Sequence, residues 1–299
     1  TVVSGGTIVY QPGVQITYDI INNAPDPNTV TITGSTGNAF LSGSRAIRDT
    51  IEGLPVTAIR GISPANPTGA FVGSHLNSIS FPATLTSIGS EAFGWIGELT
   101  TVLYRGGSSN VTSIGDRAFR HTSITSVTIP ITMESIGYEA FAGTTTLVDL
   151  QFTSGRAITD TISIGEYAFK GTAMTAVNFP DTTTSIAGNA FMDGINLRHI
   201  NIHGDTSVIT TPGALSFSGM SDTSLVIVRG LSADDIADSQ ASLTTWKSSH
   251  AAAFTPKTEE GHIQFVMDDG HIVSRKVDSI TYIITIIGDG EDKTARIGI

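Results

Sequence analysis

Cysteine is absent from all 299 residues, which excludes disulfide cross-links, thiolate metal sites and cysteine nucleophiles together. It leaves the redox compartment open. Charge is scarce as well, at 14%. The basic side is the scarcer: 16 Lys and Arg stand against 27 Asp and Glu, for a formal net charge of −11. Proteins hold a phosphate backbone by neutralising it with Lys and Arg, so no nucleic-acid partner is expected. The longest mostly apolar stretch, Tyr282 to Ile287, itself interrupted by Thr285, is far short of the ~20 residues that a membrane-spanning helix needs, and no transmembrane segment is expected in this chain. The chain opens TVVSGGTIVY, without an initiator Met, a basic n-region or an apolar h-region, and reads as a mature or trimmed product. Also missing are a Gly-x-Ser-x-Gly elbow, a phosphate-binding Gly-rich loop and a paired-carboxylate constellation, so neither nucleophilic nor phosphoryl chemistry finds support.

What is present is apolar and turn-rich. Hydrophobic residues make up 39% of the chain and aromatics 7%, enough for a real core. Thirty-two glycines and an excess of Thr, Ser and Ile point to many short strands and turns. One phrase recurs: SIGSEAF at 87–93, SIGDRAF at 113–119, SIGYEAF at 135–141, SIGEYAF at 163–169 and SIAGNAF at 185–191. A damaged first copy, Gly69-Ala70-Phe71, precedes them and a worn one, Pro212 to Phe217, follows. From Phe71 the Phe-to-Phe steps are 22, 26, 22, 28, 22 and 26 residues, the fixed self-similarity of a solenoid. The extra residues fall in Arg105 to Asn110 and Ser154 to Asp160, expected as loops on one side.

Each Phe is followed by a turn and a second pattern, seen in Leu76-x-x-Ile79-x-Phe81, Leu99-x-x-Val102-x-Tyr104, Ile124-x-x-Val127-x-Ile129, Leu147-x-x-Leu150-x-Phe152, Met174-x-x-Val177-x-Phe179 and Leu197-x-x-Ile200-x-Ile202. Its last two apolar positions are spaced by two, which places them on one face of a strand. Pro82, Pro130 and Pro180 then end strands, having no N–H to give to a ladder. The motif follows from stacking. Coils about 4.8 Å apart leave room only for the small Ala, while Phe93, Phe119, Phe141, Phe169 and Phe191 should form a continuous interior spine. The Gly is expected to permit a turn that a larger side chain would strain, the leading Ser to bond backbone of its own or a neighbouring coil, and the Ala-Phe to lie in a short helical or 3₁₀ turn.

Outside the array the texture changes. Residues 1–35 alternate apolar and polar in pieces separated by Gly and Pro, as in hairpin-like strands. Ser224 to Val228 looks like a last solenoid strand. Ser232, three residues before Asp235, is a plausible helix N-cap, and Trp246 would suit a plug over the open end of the array, which solenoids need. Beyond a linker at Pro256 to Glu260, Asp268-Asp269-Gly270 marks one hairpin and Gly288 to Asp292 another. The expected division is a β arm and cap at 1–57, a solenoid at 58–228, a capping helix with Trp246 at 229–256 and a small β-hairpin module at 257–299.

The I-G-x-x-A-F core, the L-x-x-[VI]-x-[FI]-P strand and the opening phrase Gly53 to Ile59 together resemble the BspA-like leucine-rich repeats of bacterial, and some protozoan, cell-surface proteins. The similarity covers about residues 18 to 250. Two departures stand out: the Cys that often follows the Phe is absent, and Ala187 replaces one Gly. The resemblance implies a leucine-rich-repeat solenoid, an extracellular or cell-surface location, and adhesion to host proteins or other cells with no catalytic residues and no cofactor.

Among the seven histidines, His199 and His203 have a spacing that would pair ligands on a helix; here they fall on a strand and the turn after it, and read as surface residues. Asp289 to Asp292 lacks the spacing of an oxygen cage for calcium and reads as a solvated turn, so no metal site is expected. Asn110-Val111-Thr112 is a glycosylation acceptor pattern that matters only in a eukaryotic secretory pathway. The best binding surface is the outward face of the strand ladder. One column runs Ser78, Thr101, Ser126, Asp149, Ala176, His199 and the next Ser80, Leu103, Thr128, Gln151, Asn178, Asn201. Of these, Thr101, Leu103, Ser126, Thr128, Asp149, Gln151, Asn178, His199 and Asn201 are the candidate binding residues. The expected partner is a protein of a host or neighbouring cell surface or, alternatively, further copies of this chain joined edge to edge by its terminal β segments into a fibre or lattice.

Overall fold

The computed structural model describes residues 1–11, 14–36, 41–63, 67–105, 110–153, 162–180, 183–203, 216–220, 223–229, 254–256, 262–267, 272–276, 282–285 and 294–297. The described residues form a β-rich solenoid whose coils have three sides. Two sides are parallel strand ladders and the third is a stack of turns.

The first ladder begins in the N-terminal arm. Val2–Gln11, Val14–Ile21 and Thr29–Thr36 pair antiparallel, with Val14, Ile16, Tyr18 and Ile20 all buried at the period-two spacing of a half-buried strand. Leu54–Ile59 then pairs parallel with Thr29–Thr36 on one side and with Ser87–Ile88 on the other. Arm and array therefore share one sheet. The Ser-Ile pairs of successive motifs continue it in register: Ser87, Ser113, Ser135, Ser163 and Ser185 align, and so do the Ile residues that follow them.

The second ladder carries the apolar L-x-x-V-x-F pattern. His75–Phe81 pairs parallel with Ser42–Ala46 and with Thr101–Tyr104, Ser126–Ile129 with Asp149–Phe152, and Ala176–Asn178 with His199–His203. Bonds from the Ser123 N–H to the Leu99 carbonyl and from the Ala173 N–H to the Leu147 carbonyl, both 3.0 Å, join these groups into one stack. The ladder runs on past the repeats, since Thr223–Arg229 pairs parallel with both His199–His203 and His262–Met267. Only then does the direction reverse, as Ile272–Lys276 pairs antiparallel with His262–Met267 and Thr294–Ile297 with Tyr282–Thr285. The expected linker at Pro256 to Glu260 and capping helix at 229–256 with Trp246 lie outside the described residues, apart from Arg229, which ends the strand Thr223–Arg229, and the strand Phe254–Pro256.

Between the three sides runs the spine. Phe71, Phe93, Phe119, Phe141, Phe169, Phe191 and Phe217 stack face to face with centroids 4.9–5.3 Å apart. All are essentially solvent-free. The Phe of the damaged copy, Phe71, and that of the worn copy, Phe217, thus take their places in the core.

The turn side differs from expectation in two ways. It contains turns rather than helix. N–H groups bond alternately within the coil and to the next coil: Ala92 to Gly89 and Gly94 to Glu91 within, Glu91 to Asp116, Phe93 to Ala118 and Trp95 to Arg120 across. The i to i+3 bonds are those of a 3₁₀ turn, but Glu91, Arg117, Glu139, Tyr167 and Asn189 have φ of 52–59°, and this left-handed step breaks the helix and turns every second N–H outward to the neighbour. The motif Gly, second, is not the residue with the unusual backbone. Its role is close approach: a Cβ on Gly115 would sit 2.6 Å from the Ser90 nitrogen and one on Gly137 2.6 Å from that of Asp116, distances that no side chain survives. Hydroxyl bonds across coils include those of the Thr before the motif, where Thr86 donates to the Thr57 carbonyl at 2.9 Å and Thr112 to that of Thr86 at 3.3 Å.

Candidate functional site: two outward faces

The strand ladder presents the first face. The structure brings the predicted columns together, with Ser78 beside Thr101 and Ser80 beside Leu103, Ser126 beside Asp149 and Thr128 beside Gln151, and Ala176 beside His199 and Asn178 beside Asn201. Parallel in-register pairing puts equivalent positions of each coil in line, so alternate residues buried as Val127, Leu150, Val177 and Ile200 force their neighbours outward. Leu103, Ser126, Thr128, Gln151, Asn178 and His199 are exposed, and Thr101, Asp149 and Asn201 half-buried. Hydrogen bonds on this face are local: Gln151 Nε2 donates to Asp149 Oδ2 at 2.8 Å, and Asn201 Nδ2 to Asn178 Oδ1 at 2.5 Å. Asn201 Oδ1 is buried without a hydrogen bond. At the next register positions stand Leu225 and Ile227, where the polar run of residues ends.

The turn stack presents the second face, and it was not among the predicted sites. Its residues are the variable positions of SIGxxAF and those just after the Phe. Glu139, only 15% exposed, receives Arg117 Nε at 2.8 Å and Arg120 Nη1 at 2.9 Å, and Arg117 also reaches Glu91 at 3.4 Å. Burial alone would raise the Glu139 carboxyl; the Arg117 hydrogen bond and the charges of Arg120 and Arg117 outweigh it and hold the group below the usual carboxylate range. The Arg117 guanidinium is raised in turn, chiefly by its bond to Glu139.

Rings fill the spaces between these charges. Arg117 lies 5.1 Å over Tyr138, Arg120 5.5 Å over Trp95 and Lys170 5.2 Å over Tyr167. Trp95 and His121 are in contact at 4.2 Å, and Tyr138 meets Tyr167 edge-on at 5.9 Å. The Tyr167 phenol is raised, by desolvation first and then by Glu166. The sequence does carry the signal: Trp95 and His121 each lie two residues after a spine Phe, and Tyr138 and Tyr167 occupy the variable positions of SIGxxAF. It is hidden when the motif is read only as interior.

Of the other candidate chemistry, His199 lies on the strand His199–His203. Asn110 is exposed and donates to the Ala83 carbonyl at 2.8 Å. Asp289 to Asp292 and most of the two insertions lie outside the described residues. Among the described residues no group of three or more His, Asp or Glu is placed to hold a metal ion, and no helix is long and apolar enough to cross a membrane.

Parallel ladders, an apolar spine and one coil per repeat define a leucine-rich-repeat solenoid. The chain belongs to the family of the BspA-type leucine-rich repeat region, which it matches in six copies over residues 67–162 and 155–233, more than half of its length. The fold is shared with the pneumococcal vaccine antigen PcpA, at 17% identity and a TM-score of 0.51 over 75% of this chain and 64% of that one; this chain thus spans under two thirds of PcpA's. A leucine-rich cell surface protein of Faecalibacterium prausnitzii aligns at 22% identity over 71% of each chain, with a TM-score of 0.42. The leucine-rich repeat protein of T. pallidum aligns at 16% identity over 72% of this chain and 84% of that one, with a TM-score of 0.43. No curated protein matches this sequence.

Proposed function

We propose that this is a non-enzymatic protein of the cell surface or extracellular space that binds a protein partner through the outward face of its strand ladder. The observation that supports this most is the register of that face. Rows of Ser, Thr, Asp, Gln and Asn at one spacing make a flat, hydrogen-bonding surface, and extended surfaces of this kind are what repeat scaffolds use to bind. Membership of the family and the fold shared with a vaccine antigen support the location. The domain division keeps the β arm and the tail as flanking elements, with the repeats as the binding body.

Purified protein is assayed against host matrix proteins and in cell adhesion, beside the double variant Asp149→Ala/Asn178→Ala. Binding by the parent chain and a loss of about tenfold in the variant, equivalent to about 1.4 kcal/mol, are expected. A blank screen together with silent variants would sink the reading.

A second reading, assembly of copies through the terminal β segments, is favoured by the strand Val2–Gln11. Among the described residues it ends its sheet, has no charged side chain and exposes Val2, Val3 and Val9, without the charges that usually blunt an edge. Removing residues 1–12 and 257–299 and following light scattering against concentration separates the two. An uncut chain that stays monomeric at high concentration rules assembly out.

A further inference from the structure

The position two residues after each spine Phe forms a column of its own, Gly73, Trp95, His121, Gly143, Gly171, Asp193 and Gly219, all left-handed with φ of 53–79°. Its rings lean one way. His121 lies over Gly143, where a Cβ would come within 2.4 Å of the imidazole, and the Trp95 indole rests on His121 at 4.2 Å with the Arg120 guanidinium 5.5 Å away. Both of these Trp95 contacts come from the following coil. On the preceding coil stands Gly73, where a Cβ would meet nothing within 4 Å. The indole is 60% exposed, and the space on its Gly73 side is open, since a Cβ at Gly73 would touch neither the indole nor any other atom.

One carboxylate borders that gap. Glu98, three residues after Trp95, is bonded to His75, two residues after Gly73, at 3.0 Å, which places its carboxylate on the Gly73 side. That bond holds the carboxyl below its ordinary range, so it is ionised at neutral pH. The protein as a whole carries −11. A bare indole face beside a carboxylate attracts a cation, through the ring quadrupole and through charge. On the same turn face the chain already seats Arg120, Arg117 and Lys170 against Trp95, Tyr138 and Tyr167. Trp and Arg are also the residues that dominate binding energy at protein interfaces.

We propose that the bare face of Trp95, between Gly73 and Glu98, seats an arginine or lysine side chain from a basic segment of a protein partner. The seat lies on the turn stack and is independent of the strand face.

The test uses the full chain with Trp246→Phe, which leaves Trp95 as its one tryptophan since the sequence has two, and hexa-arginine as the probe. Saturable quenching of Trp95 fluorescence that weakens with added salt is expected. Gly73→His, which fills the gap with a ring on the side of Trp95 opposite His121, and Trp95→Ala, read by calorimetry, should each weaken binding about tenfold; Glu98→Gln should weaken it about threefold. Trp95→Ala changes an exposed side chain and should leave the melting temperature unchanged, so its result stands even if Gly73→His does not fold. Asp149→Ala/Asn178→Ala should bind hexa-arginine like the parent, which separates failure here from failure of the strand-face reading. Binding that survives Trp95→Ala and Gly73→His unchanged, which is general attraction to an acidic protein, overturns the proposal. So does an absence of saturable binding, or quenching of Trp95 by a neutral hexasaccharide and not by hexa-arginine.

Discussion

The two outward faces are built by the same coils and differ in almost every respect. On the strand face, side chains are short, mostly uncharged and bonded to near neighbours, such as Gln151 to Asp149. On the turn face they are long, charged or aromatic, and reach across coils, as Arg117 does toward both Glu91 and Glu139. Backbone geometry accounts for the difference. Strands in parallel register bring equivalent side chains about 4.8 Å apart, so large or like-charged residues would crowd in line. On the left-handed turns, rings and guanidinium groups instead pack against one another, as Trp95 against His121 at 4.2 Å and Arg117 over Tyr138 at 5.1 Å. A strand face of this kind leaves its groups free to meet a partner; the turn face satisfies most of its charges internally and leaves particular openings.

What both faces share is the spine, and breaking it should abolish the comparison altogether. Phe141 is stacked between Phe119 and Phe169 at 5.2 and 5.3 Å and is buried. Phe141→Ala is expected to cost about 3–5 kcal/mol, measured by urea unfolding, with both faces lost in one transition. A loss under about 1 kcal/mol would mean that the coils hold together without it. Gly137→Val is the next largest, at about 1–3 kcal/mol by overpacking, because its side chain must displace backbone of the preceding coil at Asp116. If the glycine served only the turn, Gly137→Ala would be tolerated; a close approach makes even Ala destabilising.

Glu139 sharpens the contrast, since it is the ion at the centre of the turn face. Its folded pKa is lowered below the unfolded value. Its contribution to stability is therefore complete above the unfolded carboxyl value of about 4.3 and is lost as pH falls through the folded value. Glu139→Gln should be less stable than the parent at pH 7, and the difference should shrink as pH is lowered from about 5 toward about 3. A difference that stays constant over that range would show that pairing with Arg117 and Arg120 is not its source.

The solenoid, its spine and the outward columns of the strand face were legible in the sequence because repetition does the averaging: one ambiguous Ile-Gly-x-x-Ala-Phe says little, while copies at steps of 22 to 28 residues fix both period and interior. Three features were not legible. The Gly column reads as a turn signal in one dimension, and only stacking shows Gly115 and Gly137 facing a neighbour's backbone. The left-handed residues Glu91, Arg117, Glu139, Tyr167 and Asn189 are of types that give no warning of positive φ, Asn apart. The pairing of Arg120 with Trp95 and Glu139 joins residues 25 and 19 positions apart in sequence but in adjacent coils, so no local pattern encodes it. The same holds at the end of the array, where the pairing of His262–Met267 with Thr223–Arg229 carries the ladder into a tail that composition sets apart.

The smallest expected effect is the most telling for function. Asp149 accepts a hydrogen bond from Gln151 two residues along its own strand, both reachable by water, so the bond replaces one to solvent and adds little. Asp149→Ala should change the free energy of unfolding by no more than about 0.5 kcal/mol, as for surface substitutions that remove no buried partner. A loss above about 1 kcal/mol in urea unfolding would make the strand face a structural element. A near-zero value, against the several kcal/mol at Phe141, means that this face is not needed for folding: Ser126, Thr128, Asp149 and Gln151 line up because the backbone aligns whatever stands there, and the choice of small polar residues is then left to be set by what they meet.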